Sequence, residues 1–232
     1  MGDMRTYVVS LRRRDDRRTR MRSRLDEAML QYSFVDAFDA RSLTSLPTGT
    51  LTSATLYSAW VSHVRAMRAF AESGESCALI LEDDAVLETS LDWVLFLKDL
   101  EQLMSSEALD YVQLGHISAA YPKGNWLMRT ARRYRNQPPT IRPRLAGRSF
   151  VLQLGLSRAG AHAYVLSRSL AEAIPQYNDP TWVGPDGFFE RFASACQSEG
   201  QFRLATTLPS LVEQESREFV GSTIDSDNFP TA

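Results

Sequence analysis

The fold of this chain is decided by the stretch Cys77-Ala-Leu-Ile-Leu-Glu-Asp-Asp-Ala-Val-Leu87. Its four apolar residues 78–81 are typical of a strand that is buried on both faces. Three consecutive carboxylates, Glu82, Asp83 and Asp84, follow at once. In an open α/β sheet, ligands bind in the crevice beyond the carboxyl ends of the strands. We therefore expect these charges to meet a ligand there.

Two interpretations of the carboxylates are open. Oxygen ligands suit Mg²⁺ or Mn²⁺, and such an ion would bridge the carboxylates to a diphosphate. Glu82 and Asp84 fit this interpretation because residues two apart in an extended chain project to the same side. Alternatively, the acidic turn only caps a helix that the apolar residues of 91–103 predict, since carboxylates favour the positive end of the helix dipole.

Length and composition indicate one globular domain. The chain has 232 residues, and 44% of them are hydrophobic, which is ample for a buried core. No apolar run approaches the ~20 residues of a membrane span, and the amino end does not resemble a secretory signal, so we expect a cytoplasmic location. The two cysteines, Cys77 and Cys196, match neither a disulfide framework nor metal-ligand spacing.

Charge is distributed unevenly along the chain, although the net charge is only −2. Residues 12–24 include eight arginines, and residues 119–149 carry eight basic side chains and no acidic one. Either an anionic ligand or surface on one side of the fold, or simply a solvated face, explains such runs. Arginines in the loop after the first strand would grip phosphate in bidentate fashion.

Hydrophobic periodicity predicts alternating strands and helices, and hence an α/β fold. The predicted strands are 6–11, 33–38, 78–81, 110–114, 150–154, 160–166 and a last one within 208–215. The predicted helices are one that begins near Asp15 or Asp16, 54–72, one that runs to about Met104, and 167–174 with Ser167 as its cap. The whole domain is expected to span 1–222, with 223–232 as a disordered tail.

Three further features have both a functional and a purely structural interpretation. His63 falls on or beside the apolar face of the helix 54–72, where a histidine is either a core group or part of a site. Asp186 lies in a turn between glycines and aromatic residues, where it is either functional or a helix cap. The segment 122–148 is rich in Pro, Gly and Arg. It is expected to be a mobile loop or lid, or a contact for an anionic membrane or a nucleic acid.

Taken together, these residues resemble glycosyltransferase family 25, which includes bacterial lipooligosaccharide galactosyltransferases and collagen galactosyltransferase domains. The resemblance spans Tyr7 to about Ser222. Its segments are Ser10-Leu11 with Asp16-Arg17, Val35-Asp-Ala-Phe-Asp-Ala-Arg41, Trp60-Val-Ser62-His63, Leu81-Glu82-Asp83-Asp84, Gly160-Ala-His-Ala-Tyr164-Val-Leu-Ser167 and Pro185-Asp186. Two positions depart from the family's pattern: Ser10 stands where the family has Asn, and Ala40 where it has Gly.

The resemblance implies a single-domain, GT-A-like (Rossmann-like) fold and a nucleotide-sugar donor, commonly UDP-galactose. It implies transfer of a hexose to a hydroxyl of a glycan or glycolipid, as in lipooligosaccharide biosynthesis. A divalent metal, Mn²⁺ or Mg²⁺, would be held by Glu82 and Asp84, where it would stabilise the departing diphosphate. The residues expected to bind the donor are Ser10, Leu11, Arg12, Arg17, Ser62, His63 and Asp83.

An inverting transfer needs a general base near the anomeric carbon, and Asp186 is the first candidate, with Glu213 second. A third metal ligand is not indicated, since neither His116 nor His162 has a spacing that recommends it.

Other functions are open as well. They are a metal-dependent phosphohydrolase or nucleotidyltransferase, a non-catalytic or degenerate binding module, and a transferase that acts on a protein or a modified nucleic acid. An anionic membrane surface is a further candidate partner, and nucleic acid ranks below it.

Overall fold

The computed structural model describes residues 4–47, 52–116, 139–155, 157–177, 184–185, 187–189, 191–192, 195 and 200–215. In these residues, helices pack on a mixed β-sheet, which confirms the predicted α/β class. No helix in these ranges combines the length and the apolar composition that a membrane span requires.

Most of the predicted elements are present, with small shifts at their ends. The strands are β1 Thr6–Ser10, β2 Tyr32–Asp36, β3 Cys77–Glu82, β4 Ala85–Leu87, β5 Tyr111–Gly115, β6 Thr140–Ile141, β7 Arg144–Leu145, β8 Arg148–Ser149, β9 Val151–Leu154, β10 Ala163–Ser167, β11 Leu204–Leu208 and β12 Val212–Gln214. The helices are α1 Asp15–Glu27, α2 Ala54–Ser73, α3 Trp93–Ser106 and α4 Arg168–Ala173. Short 3₁₀ turns occupy Ala40–Ser42 and Ile174–Tyr177.

The main sheet has the strand order β2-β1-β3-β10-β5-β11-β9-β6. The strands β2, β1 and β3 are parallel to one another, and β10 runs antiparallel between β3 and β5. The strand β11 is parallel to β5, while β12 pairs with both β4 and β5. The carboxyl ends of β1, β2, β3 and β5 therefore meet at one edge of the sheet, as a ligand site in an α/β fold requires.

The central strand β3 is buried on both faces because helices cover both sides of the sheet. Leu79 and Leu81 join the core that contains the apolar residues of α1 and α3. Ala78 and Ile80 alternate with them and join the core of α2 and α4. All four side chains are 0% exposed. The uninterrupted apolar run in the sequence therefore has the structural cause that was predicted.

Helix capping agrees with the sequence at one predicted position and differs at another. Ser167 caps α4 as predicted, since its side chain accepts a hydrogen bond from the backbone of Leu170. The helix α1 instead begins after Arg14, without a side-chain cap. The Asp16 carboxylate lies in the first turn, where the Arg14 guanidinium donates to both of its oxygens, at 2.8 and 2.9 Å.

Several short strands were not predicted. The strand β11 pairs with β5 and β9, and its buried Thr206 donates to the side chain of Gln113. The end of the predicted loop contains β6 and the hairpin β7–β8, whose turn places Ala146 and Gly147 at φ 45° and 73°. The rest of that loop, 122–138, and the predicted tail, 223–232, lie outside the described residues.

We predict that Gly115→Ala destabilises the fold by about 1 to 3 kcal/mol, as overpacking does. A Cβ at Gly115 would lie 2.4 Å from Nε2 of His162 and 2.9 Å from the carbonyl oxygen of Val212. Urea unfolding measures the loss. If the clash is the cause, His162→Ala should cost less in the Gly115→Ala background than in the wild type. Additive costs would contradict this explanation.

Candidate active site

A cavity lies at the carboxyl edge of the sheet. Its wall comes from the loops after β1 and β2, the first turns of α2, the turn after β3 and the end of β12. Many of the predicted site residues line it, and these are Ser10, Leu11, Arg17, Ser62, His63, Glu82, Asp83 and Asp84.

The three carboxylates do not cap a helix, so that interpretation is wrong. They lie where β3 ends and the chain turns into β4. The helix α3 comes later and has its own cap, Asp92, whose side chain accepts a hydrogen bond from the backbone of Leu95. The strand β4 pairs with β12, and this pairing brings Gln214 next to the acidic turn.

Asp83 is the carboxylate that points into the protein. It is 7% exposed, and it accepts hydrogen bonds from Ser10 Oγ and from the Arg17 guanidinium, each at 2.8 Å. Burial lowers the pKa of Arg17, but the neighbouring Asp83 carboxylate outweighs burial and raises that pKa above its usual value. Asp83 therefore fixes Arg17 and the end of β1 in the cavity wall.

Glu82 and Asp84 project to the same side, as their spacing predicted. The side-chain amide of Gln214 contacts both, with Nε2 at 3.5 Å from Glu82 Oε2 and 3.2 Å from Asp84 Oδ2. Arg17 is the nearest cation recorded for Asp84 among the described residues, at 3.7 Å. The two carboxylates thus form a pair that faces the cavity and is only partly compensated.

The surroundings of Glu82 and Asp84 shift the pKa values of these two carboxylates in opposite directions. Burial, and then the charge of Glu82, raise the pKa of Asp84 to about 7. Burial also acts to raise the pKa of Glu82, but the hydrogen bond from His63, with the Arg17 charge nearby, outweighs burial and lowers that pKa. Near neutral pH, Glu82 is therefore ionised while Asp84 still takes up a proton.

His63 is buried and also belongs to the site. It is 1% exposed, and its Nε2 lies 3.1 Å from Glu82 Oε1. Its Nδ1 lies 2.8 Å from the hydroxyl of Tyr164 on β10. The predicted core position of this histidine is confirmed, and it places the ring against a carboxylate of the site. The predicted contact with the donor stays a prediction.

The arginine run does not form a free basic surface. Most of its members pair with carboxylates of the same chain: Arg13 with Asp39, Arg14 with Asp16, Arg17 with Asp83, Arg18 with Asp36, and Arg20 and Arg24 with Glu215. The solvated-face interpretation therefore describes much of the run. Arg13, Arg14 and Arg17 line the cavity, whereas Arg12 is exposed and is not part of its wall.

Ser62 supports the cavity wall through the backbone. Its hydroxyl accepts a hydrogen bond from the Phe38 N–H at 2.8 Å and donates to the carbonyl of Ser58 at 2.6 Å. These bonds tie the loop after β2 to the first turns of α2. Ser62 thereby sets the position of that loop in the cavity wall.

Of the two candidate bases, Glu213 lies within the described residues and Asp186 does not. Glu213 is exposed and does not line the cavity, because side chains alternate along β12 and Gln214 takes the inward direction. Asp186 lies outside the described residues. Its neighbours Gly184 and Phe188 both pack on α2: Gly184 lies against Leu56, and the ring of Phe188 is 4.2 Å from that of Trp60.

Several cavity residues were not predicted as site residues, and the charged or amide side chains among them are Arg13, Arg14, Asp39 and Gln214. Arg13 and Arg14 directly follow Arg12, and the sequence alone does not show which arginines of this loop face the cavity. Gln214 follows Glu213, and period-two alternation in a strand makes one of the two face inward. The sequence alone does not show which one.

The oxygen donors of the site fit a hard divalent ion. The described ranges contain no group of three or more His, Cys, Asp or Glu side chains able to hold a metal. They do offer the Glu82–Asp84 pair, together with the Gln214 amide, whose oxygen is also a suitable ligand. His116 and His162 are engaged elsewhere, since each donates its Nε2 proton to a backbone carbonyl, of Thr207 and Val212 respectively.

Comparison with known proteins agrees with the resemblance seen in the sequence. The model of a family described as Glycosyltransferase family 25 (LPS biosynthesis protein) matches residues 4–187. The matched segment contains β1, the arginine-rich α1, His63 and the acidic turn. Gln214 and Glu213 lie beyond it. None of the curated proteins matches the chain.

We predict that Asp84→Asn stabilises the ligand-free protein above pH 7. The pKa of Asp84 rises from about 3.8 to about 7 on folding, so stability is lost as pH rises through this interval and Asp84 ionises. The asparagine variant avoids this loss, which is on the order of 4 kcal/mol. Urea unfolding at pH 4 and pH 8 in EDTA measures it. The difference between variant and wild type should vanish at pH 4, and a difference independent of pH would contradict the assignment.

Proposed function

The chain belongs to glycosyltransferase family 25, and we propose that it transfers a hexose, galactose from UDP-galactose, to a hydroxyl of a glycan or glycolipid. The observation that carries this proposal is the cavity where Arg17 and the Glu82–Asp84 pair face each other at the carboxyl edge of the sheet. A GT-A-like fold is part of the proposal, and the α/β sheet is compatible with it. The choice of uridine and galactose rests on the family resemblance.

The charges of the cavity suit a nucleotide diphosphate. Arg13, Arg14 and Arg17 line one side of it, and guanidinium groups bind phosphate oxygens in bidentate fashion. Arg17 is held in place by Asp83, so its direction is set before a ligand arrives. Such preorganisation lowers the entropy cost of binding.

The carboxylate pair supplies the counterpart to these arginines. Glu82 and Asp84 would hold Mn²⁺ or Mg²⁺, with Gln214 at the same position. When bound there, the ion would act as a Lewis acid toward the diphosphate that leaves with the bonding electrons. Without an ion, the carboxylates would repel that diphosphate, so the same pair makes binding depend on the metal.

Asp186 is the base that we propose for an inverting transfer. Its carboxylate would take the proton of the acceptor hydroxyl while the oxygen attacks the anomeric carbon and the bond from that carbon to the diphosphate breaks. The flanking Gly184 and Phe188 pack on α2, and Thr55 and Ala59 of that helix line the cavity. Glu213 is the weaker candidate because it is exposed.

A lipid-linked acceptor would bring the protein to an anionic membrane surface. Within the basic segment 119–149, Arg142, Arg144 and Arg148 are exposed. Arg148 also pairs with Glu88 at 2.8 Å. We propose these side chains as the first points of contact, since basic residues near such a surface are attracted to it.

Thermal unfolding with UDP, GDP and CMP sugars, each with and without Mn²⁺, tests the donor site. We expect a rise in Tm of several degrees for UDP sugars, because ligands that bind only the folded state stabilise it. The rise should require Mn²⁺ and should be absent in Asp84→Ala. Arg144→Ala is the matched control, since Arg144 is exposed and distant in sequence from the cavity residues. No shift with any donor in a folded protein would contradict the proposal.

Turnover of Asp186→Asn tests the base. Amide replaces carboxylate at nearly constant shape, so donor binding should persist while kcat falls by about 10²-fold or more. Glu213→Gln, on the exposed side of β12, is the matched comparison for the second candidate: near-normal kcat is expected there, and a large loss of kcat in this variant alone would make Glu213 the base. Normal turnover in a folded Asp186→Asn variant would remove Asp186 from the mechanism.

A further inference from the structure

A chain of three buried or half-buried side chains runs from the core to the cavity. It begins at Tyr164 on β10, passes through His63 on α2 and ends at Glu82 on β3. Tyr164 and His63 are 0% and 1% exposed. Their rings are stacked, with centroids 5.7 Å apart. His63 and Glu82 both line the cavity, whereas Tyr164 lies behind them in the core.

The hydrogen bonds of this chain can be ordered in one way if the ring of His63 is neutral. An ionised carboxylate only accepts, so the Nε2 that faces Glu82 must carry the proton. The Nδ1 atom is then an acceptor, and the hydroxyl of Tyr164 must donate to it. Burial raises the pKa of Tyr164 well above its usual value, which keeps that hydroxyl protonated.

The order of these bonds determines which oxygen of Glu82 is available to a ligand in the cavity. Oε1 accepts from His63, whereas Oε2 is the oxygen nearest to Gln214 and therefore faces the side where Asp84 lies. A carboxylate without the histidine would rotate, and its second oxygen would not be directed. Glu82 favours the Nε2–H tautomer from one side of the ring, and Tyr164 strengthens this preference from the other, because a hydroxyl that donates to Nδ1 excludes a proton from that atom.

We propose that Tyr164 is a positioning residue, which holds His63 in the Nε2–H tautomer and thereby directs Oε2 of Glu82 toward Asp84 and the cavity. The effect on ligand binding rests on the proposed function, because the ligand is taken to be Mn²⁺ with a nucleotide sugar. Hydrogen-bond partners of this kind change metal affinity by about 10 to 100-fold when they are removed.

The test compares Tyr164→Phe with Tyr111→Phe. Both changes remove one hydroxyl from a buried ring, and the two rings are neighbours, with centroids 5.4 Å apart. Of these two tyrosines, Tyr164 is the one whose hydroxyl is hydrogen-bonded to His63 within the described part of the chain. If the two variants lose stability equally, that loss reflects packing, which both rings share. The two measurements below instead report on the hydrogen bond to His63.

The first measurement is the ¹⁵N chemical shift of the His63 ring in metal-free protein, by long-range ¹H–¹⁵N correlation. The chain has only three histidines, and His63→Gln assigns the signals by removing one set. We expect wild type and Tyr111→Phe to show the Nε2–H tautomer and Tyr164→Phe to show a mixture. Unchanged shifts in Tyr164→Phe, or a doubly protonated ring in the wild type, would overturn the proposal.

The second measurement is the affinity for Mn²⁺ in the presence of UDP, by electron paramagnetic resonance of the free ion. We expect the Kd to rise about tenfold in Tyr164→Phe and to stay unchanged in Tyr111→Phe. A changed tautomer with unchanged Kd would overturn the directing role. If wild type binds neither Mn²⁺ nor UDP, the proposed function fails, while the ¹⁵N shifts still decide whether Tyr164 sets the tautomer.

Discussion

The structure depends on the placing of three adjacent carboxylates at the end of a fully buried strand. An unpaired charge at such a position costs several kcal/mol, so each carboxylate needs its own compensation. Asp83 is neutralised by an arginine of α1, Glu82 is held by a histidine of α2, and Asp84 takes up a proton near neutral pH. The helices α1 and α2, which cover the sheet, thus also supply the side chains that compensate two of the charges at its acidic end.

The three carboxylates are not compensated equally. Asp83 is satisfied by two strong hydrogen bonds and serves as a fixed part of the wall. The Glu82–Asp84 pair instead meets the neutral Gln214 amide at long distances, with His63 at Glu82 and Arg17 3.7 Å from Asp84. Proteins commonly keep such unfavourable charge at sites that need it for binding, at the expense of stability. The distinction separates the carboxylate that builds the cavity from the two that face it.

Local sequence patterns were sufficient for the parts of the structure that depend on local physics. The apolar run before Glu82 follows from strand geometry, and the cap at Ser167 follows from helix geometry. Glu82 and Asp84 share a side as well, although Asp84 lies in the turn after the strand. Gln214 was missed because its role depends on the pairing of β12 with β4, which joins segments far apart in the chain. The contacts of His63 with Glu82 and Tyr164 were not predicted for the same reason, since Tyr164 comes from a distant strand.

The pairing of α1 with Glu215 has a consequence for biosynthesis. Arg24 and Glu215 are 191 positions apart, and the backbone N–H of Glu215 donates to the backbone carbonyl of Asp84. Chains emerge from the ribosome from the amino end, so β1, α1 and the acidic turn are present long before this last partner arrives. The cavity wall is closed only when the segment around residue 215 has emerged. Until then, the nascent acidic turn lacks its contacts with Gln214 and Glu215, so a ligand cannot meet the complete cavity.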